Sequence, residues 1–167
     1  FTYAEAGVDR KIRAKSKKAL AMLKRTYKFS RYGKVVTLPY GNIFPFGKDL
    51  FFDFQVEGVG SKVLVAQLAD KYDTIGIDAV ALAVNDLIRS GAKPLAIADN
   101  IHAQVSNPTL VKEWLKGIVK GAEESECIVP SGEIGDVREI VKGLVEGKGF
   151  DMVVATVGEV HRKNIIF

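Results

Sequence analysis

Val56-Glu57-Gly58-Val59-Gly60-Ser61-Lys62 is a glycine turn that ends in a hydroxyl and a lysine. Glycine accepts positive φ, so Gly58 and Gly60 let backbone amides come close to an anion. Ser61 adds a hydroxyl, and Lys62 adds a point charge suited to phosphate. The segment is neither a P-loop nor a dinucleotide fingerprint, and a tight hairpin carrying an exposed lysine has the same sequence. Acidic residues follow in Tyr72-Asp73-Thr74-Ile75-Gly76-Ile77-Asp78 and in Val84-Asn85-Asp86-Leu87. Asn85 and Asp86 interrupt an otherwise apolar helical stretch, where polar groups must be paired or face a cleft. One reading is a helix-to-loop hydrogen bond. The other is a magnesium ligand, because hard cations prefer carboxylate oxygens. Asp99 ends an apolar strand, where ligands of α/β folds gather, though a capping or turn aspartate also sits there. Glu133 lies in the small-residue turn Ser131-Gly132-Glu133. The glycine turn and these carboxylates together favour a metal–nucleotide site. His102 and His161 show no ligand spacing and read as structural or surface residues.

The elements that must hold these residues follow from periodicity. Residues 9–28 read as a helix, with Ile12, Ala19, Leu20, Leu23 and Tyr27 at three- and four-residue steps and Asp9 as N-cap. Residues 33–48 are rich in glycine and proline and read as loop. Strands are expected at 50–56 and 62–67, joined by a hairpin-like turn at Gly58-Val59-Gly60. A helix spans 78–90, ended by Gly91, and a strand covers 94–98. A second long helix spans 108–126, capped by Asn107 or Thr109, with Leu110, Trp114, Leu115, Ile118 and Val119 as its inner stripe. A short strand at 127–129, a turn at 130–135, a short helix at 137–145 and a strand at 152–160 complete the chain. Trp114 and the phenylalanines between 44 and 54 read as core. The order implies an α+β (α/β-like) domain, a mixed sheet with helices on one face. The strands outnumber the helices available to cover them. One apolar sheet face is therefore left for a partner, most simply a second copy of the chain.

Bulk composition narrows the classes. With 167 residues, 47% of them hydrophobic and 26% charged, the chain fits one soluble globular domain. No apolar run reaches the roughly 18 residues needed to span a bilayer, and no apolar stretch follows the basic N-terminal residues as a signal peptide requires. Cys127, the single cysteine, cannot form an internal disulfide, which suits a cytoplasmic setting. From Arg10 to Lys34 there are eleven Lys or Arg and no acidic residue, while the remaining 13 basic and 20 acidic residues leave the rest about −7. A solvated helix face, a rim that attracts phosphate-bearing small molecules, and a nucleic-acid surface are the three readings. Aromatic residues are sparse in the stretch and no binding motif follows, so neither nucleic acid nor membrane is expected as a partner.

Thr2-Tyr3-Ala4-Glu5-Ala6-Gly7-Val8-Asp9 resembles the opening of the phosphoribosylformylglycinamidine cyclo-ligase (AIR synthetase) family of purine biosynthesis. The similarity runs on in order through Gly58–Lys62, Asp73–Asp78, Val84–Leu87 and Gly91-Ala92-Lys93-Pro94-Leu95. It continues at Lys116-Gly117-Ile118, Gly121, Ser131-Gly132-Glu133 and Val157-Gly158-Glu159-Val160. Several of these motifs are shared with thiamine-monophosphate kinase and other members of a wider superfamily. The resemblance implies the ATP-binding half of a two-domain protein that dimerises through its sheet into a barrel. It also implies an ATP- and Mg²⁺-dependent ring closure of formylglycinamidine ribonucleotide. By position it assigns Glu57, Asp86 and Glu133 to the metal, and Gly58, Gly60, Ser61 and Lys62 to the nucleotide. Asn85 falls on the substrate side, and Asp99 matches the aspartate after the proline-containing strand. The chain departs from the family at Glu57 (usually Asp), at Ser61 (usually Thr), at Ser131-Gly132-Glu133-Ile134 (usually Gly-Gly-Glu-Thr), at Gly135-Asp136-Val137-Arg138 and at Pro39-Tyr40-Gly41-Asn42. The family's C-terminal domain, about as long again, is absent from this sequence, which reads as a fragment, a separately encoded half or a divergent paralogue that lost activity. A different ATP-dependent synthase or kinase subunit, or a non-catalytic dimerisation module, are the alternative functions.

Overall fold

The computed structural model describes residues 5–167, so Thr2, Tyr3 and Ala4 of the opening motif lie outside the described residues. Two helices frame the fold's logic. Helix α3 (Ile75–Ile88) buries Ile75, Ala79, Val80, Ala83 and Leu87, and helix α4 (Pro108–Glu124) buries Leu110, Trp114 and Ile118. They cross where neither has a side chain: a Cβ on Gly76 would collide with the backbone at Trp114, Gly117 and Ile118. That close approach brings both helices onto one face of the sheet, around a core of Ile97, Ile101, Trp114, Phe150, Met152 and Val154.

The sheet has six strands: β1 (Val36–Leu38), β2 (Gly41–Pro45), β3 (Leu50–Gly58), β4 (Lys93–Ala103), β5 (Ile128–Asp136) and β6 (Phe150–His161), in spatial order β1-β2-β3-β6-β4-β5. Only β4 and β5 run parallel; the other neighbours are antiparallel, so the sheet is mixed and the class is α+β, as expected. Alternation along β6 is strict. Phe150, Met152, Val154, Thr156 and Val160 are buried under the helices, and Val153, Ala155 and Val157 point to the other side. Among the described residues no helix packs on that other side. Phe54 and Val56 of β3 are 57% and 55% exposed there, beside half-covered Phe44 and Phe52. The phenylalanines of 44–54 are therefore divided between a buried Phe51 and this open face, rather than all belonging to the core.

Several elements differ from the sequence expectation. Residues 62–67 are not a strand: Lys62–Ala69 form helix α2, and Gly58-Val59-Gly60 is a strand-to-helix turn instead of a hairpin. A short apolar run carries no period of its own, and here Ala66 and Gln67 face inward while Val65 and Leu68 face solvent. Residues 33–48 hold strands β1 and β2. Residues 130–135 lie inside β5, an edge strand in which Pro130 and three glycine or serine residues are tolerated because one side needs no ladder. Residues 137–145 do not form a helix. They belong to a connection fastened by two buried glutamines: Gln67 Oε1 accepts from Leu144 and Val145 N–H, and Gln104 Oε1 from Gly147 and Gly149 N–H. The expected 9–28 helix is α-helical (α1) only over Arg10–Lys17, with Asp9 capping Lys11 and Ile12 N–H, and continues as 3₁₀ over Lys18–Phe29. Neither part buries a residue. Asn107 caps α4, accepting from Thr109 and Leu110 N–H.

Candidate functional site

Strand β3 delivers Asp53, Gln55 and Glu57 on successive inward positions, and Gly58–Ser61 turns its end straight into the N-terminus of α2. Gly60 takes φ +60°, the left-handed conformation the turn requires. At the start of α2 the Val63 N–H donates to the Gly60 carbonyl at 3.3 Å and the Leu64 N–H to the Ser61 carbonyl at 3.0 Å, so only the amides ahead of them are left for an anion at this helix end. Ser61 occupies the N-cap position and makes no side-chain cap bond, so its hydroxyl is not committed to the helix. Lys62 sits in the first turn, where its Nζ reaches Asp78 Oδ1 of α3 at 2.9 Å, both side chains about half exposed. Beside this pair opens a cleft of about 320 Å³ lined by Lys62, Val65, Lys71, Thr74, Ile75 and Asp78.

Two turns further along α3, roughly 12 Å by helix rise, Asp86 faces β3 and meets Glu57. Burial pushes the Glu57 carboxyl above its ordinary value. A hydrogen bond with Asp86 and the charge of Asp86 push it the same way, and the nearby Arg89 guanidinium opposes them. Glu57 and Asp86 are thus brought together at the edge of the glycine turn. Asn85, one residue earlier on α3, is exposed.

Asp99 and Glu133 sit elsewhere on the sheet. Across the helix-covered face, Glu57, Val154, Asp99 and Gly132 form one row through β3, β6, β4 and β5. Asp99 is therefore two strand spacings from Glu57, roughly 9–10 Å. It is 8% exposed, and burial holds its carboxyl above the usual range, against a lowering by its own backbone N–H. Its carboxylate occupies the space where Gly132 would carry a Cβ, which explains the glycine in Ser131-Gly132-Glu133. Glu133 pairs with Asn100 and points to the open face, opposite to Asp99 and Glu57. Among the described residues no three His, Cys, Asp or Glu side chains converge on one point. The donor set at Glu57 and Asp86 is a pair of hard oxygen ligands, which suits magnesium bound through one or two carboxylates together with substrate phosphates.

Sequence reading passed over Asp53, Gln55 and Arg89. Asp53 is 2% exposed and accepts from Gln55 Nε2 at 2.6 Å. Arg89, the residue that follows α3, binds Asp86 Oδ2 through Nη2 at 2.8 Å. The signal was present: in Leu50–Gly58 the polar residues Asp53, Gln55 and Glu57 recur every second position of an aromatic strand, the period of one sheet face.

Residues 42–160 match the family described as AIR synthase related protein, N-terminal domain. A phosphoribosylformylglycinamidine cyclo-ligase of Pyrococcus horikoshii is 33% identical over 99% of this chain and 49% of its own length. One from Bacillus cytotoxicus is 39% identical over 66% of this chain and 30% of its own length. The chain thus spans about half the length of curated relatives it matches from end to end. Among solved structures, thiamine monophosphate kinase from Aquifex aeolicus superposes with a TM-score of 0.57 at 19% identity, covering 91% of this chain and 44% of that one. T. maritima PurL complexed with ATP superposes with a TM-score of 0.60 at 16% identity, covering 86% and 24%. At that identity these two show the shared fold. Among the described residues no helix is long and apolar enough to cross a membrane.

Proposed function

We propose that this chain, which belongs to the AIR synthase related N-terminal domain family, is the ATP- and magnesium-binding half of a formylglycinamidine ribonucleotide cyclo-ligase. In that reaction ATP phosphorylates the formamide oxygen, the amidine nitrogen closes the imidazole ring, and ADP and phosphate leave. The observation that carries the reading is the junction of the Glu57–Asp86 pair with the Gly58–Ser61 turn and the α2 N-terminus, which puts hard anionic oxygens beside a glycine turn whose Ser61 hydroxyl makes no cap bond. Bound magnesium would neutralise charge on the transferring phosphoryl group. Glu57 and Asp86 would hold it, the amides of the turn and the Ser61 hydroxyl would orient the phosphates, and Lys62 would leave Asp78 to meet them. Asp99 lies on the same sheet face, dry and within two strands, where it can face the reacting end of the substrate. Asn85 and Glu133 would serve from solvent-exposed positions, Glu133 through a partner that covers the open face.

The test is calorimetric titration of the chain with ATP, with and without magnesium. We expect binding to require magnesium, and Asp86→Asn to weaken it about tenfold or more, since one hard anionic ligand is lost. Equal Mg-ATP affinity in the variant, or no binding by the unaltered chain, rejects the assignment. The direction of Glu133, away from the Glu57–Asp86 pair, favours a second reading, a binding module without turnover; such a module would bind Mg-ATP and never release ADP.

A further inference from the structure

Arg89 has a place in this site that the reaction scheme leaves unexplained. Its Nη2 lies 2.8 Å from Asp86 Oδ2, its Nε donates to the Asp86 carbonyl at 3.2 Å, and its guanidinium carbon stands 5.0 Å from the Tyr40 ring centroid at the β1–β2 turn. Three contacts thus fix one planar cation on the carboxylate that faces Glu57. Asp53, buried on the same side of β3, lines the same small cavity with Tyr40, Asp86 and Arg89. Asp86 is thus ion-paired with Arg89, with the Asp53 carboxylate lining the same cavity.

We infer that Arg89 is the resident counter-ion of the Glu57–Asp86 pair, and that a divalent cation binds only by displacing its guanidinium from Asp86; this rests on the metal-site reading above. The same Asp86 oxygen cannot give its lone pairs fully to both cations, and a guanidinium left beside the metal repels it. The bare metal therefore binds weakly. A polyphosphate arriving with the metal offers the released guanidinium new anionic partners, in the geometry arginine prefers. Metal and nucleotide then bind cooperatively, and the site stays closed to free divalent cations. Arg89 acts here through Asp86 as a positioning residue.

The experiment is titration with Mn²⁺ alone, followed by Mn²⁺ in the presence of a non-hydrolysable ATP analogue, on the unaltered chain, Arg89→Met and Arg89→Lys. Arg89→Met should bind Mn²⁺ alone about tenfold more tightly, a change of about 1.4 kcal/mol. The gain in Mn²⁺ affinity on adding the analogue should shrink in it, while Arg89→Lys stays near the unaltered chain. Metal-free Arg89→Met should also melt lower and recover with Mn²⁺. If the methionine variant does not fold, Arg89→Gln, which keeps a donor for Asp86 without its charge, takes its place with the same expectation. Unchanged or weaker Mn²⁺ binding in the uncharged variants, with the unaltered chain still binding Mg-ATP, overturns this inference alone. Absence of Mg-ATP binding to the unaltered chain overturns the site reading and the inference together.

Discussion

Asp99 is a carboxylate that folding places under the helices, against Gly132 of β5, which has no side chain to oppose it. Burial raises its proton affinity above that of the unfolded chain, whose ordinary value is 3.8. For an acid shifted in that direction, the favourable contribution to stability is complete below the unfolded value and is lost as pH climbs through the folded one. At neutral pH the ionised group therefore opposes folding. Asp99→Asn should raise the melting temperature at pH 7, by about 2–4 °C for each kcal/mol gained in a chain of this size. The gain should fade below pH 4; a variant that melts lower at pH 7, or whose advantage persists in acid, contradicts this account. At this scale the sequence was readable where chemistry and backbone coincide. Gly60 and its neighbours read as a turn because only glycine takes φ +60° without cost, and Asp86 read as special because a carboxylate inside an apolar helix needs a reason. Arg89 carried no such mark. An arginine near a helix end is ordinary, as is its i,i+3 pair with Asp86, and its contact with Tyr40 depends on the β1–β2 turn and the helix meeting in space.

Elements were readable in proportion to their length and period. Helices α3 and α4 announce themselves through long apolar stripes, and α4 also through its side-chain cap at Asn107. Residues 62–67 do not, since a six-residue apolar run suits a strand or a buried helix equally, and the deciding fact is the turn geometry before it. The connection from Val137 to Gly149 is decided farther away still. Its backbone amides are satisfied by Gln67 and Gln104, which come from 77 and 45 residues upstream in the pairs with Leu144 and Gly149, so no local pattern could reveal it. Gln67 is 3% exposed and holds Leu144 N–H at 2.8 Å. Gln67→Leu removes the acceptor and leaves two amides without their partner, which should cost about 1–3 kcal/mol. Denaturant unfolding should show that loss. Hydrogen exchange should show faster exchange at 144 and 145, with α3 and α4 unchanged; retained protection there would mean the tether is incidental.

The whole molecule presents a sheet covered on one face. Phe54 and Val56 stand more than half exposed on the other, among the half-covered Phe44, Phe52, Val153 and Val157. An apolar face of that kind is expected to meet a second copy through an isologous contact, since strand-on-strand burial then repeats in both subunits. Light scattering should give a dimer at micromolar concentration, and Phe54→Lys with Val56→Lys should give a folded monomer; a monomeric unaltered chain would reject the assembly. Activity is a separate matter. A ring-closing ligase must hold ATP and a second phosphorylated substrate in line and keep water out while the phosphoryl group moves. On the proposed reading, the glycine turn and the Glu57–Asp86 pair would supply a nucleotide end and Asp99 a reacting end. The residues described offer no enclosed cleft for a ribose phosphate beside them, and matched relatives are about twice as long. The 167-residue chain alone should therefore bind Mg-ATP and convert formylglycinamidine ribonucleotide negligibly, with turnover appearing when a C-terminal half is joined or added. Steady ATP-dependent formation of the aminoimidazole product by the chain alone, followed by its absorbance or by ADP release, would place the entire substrate site within this domain and its dimer partner.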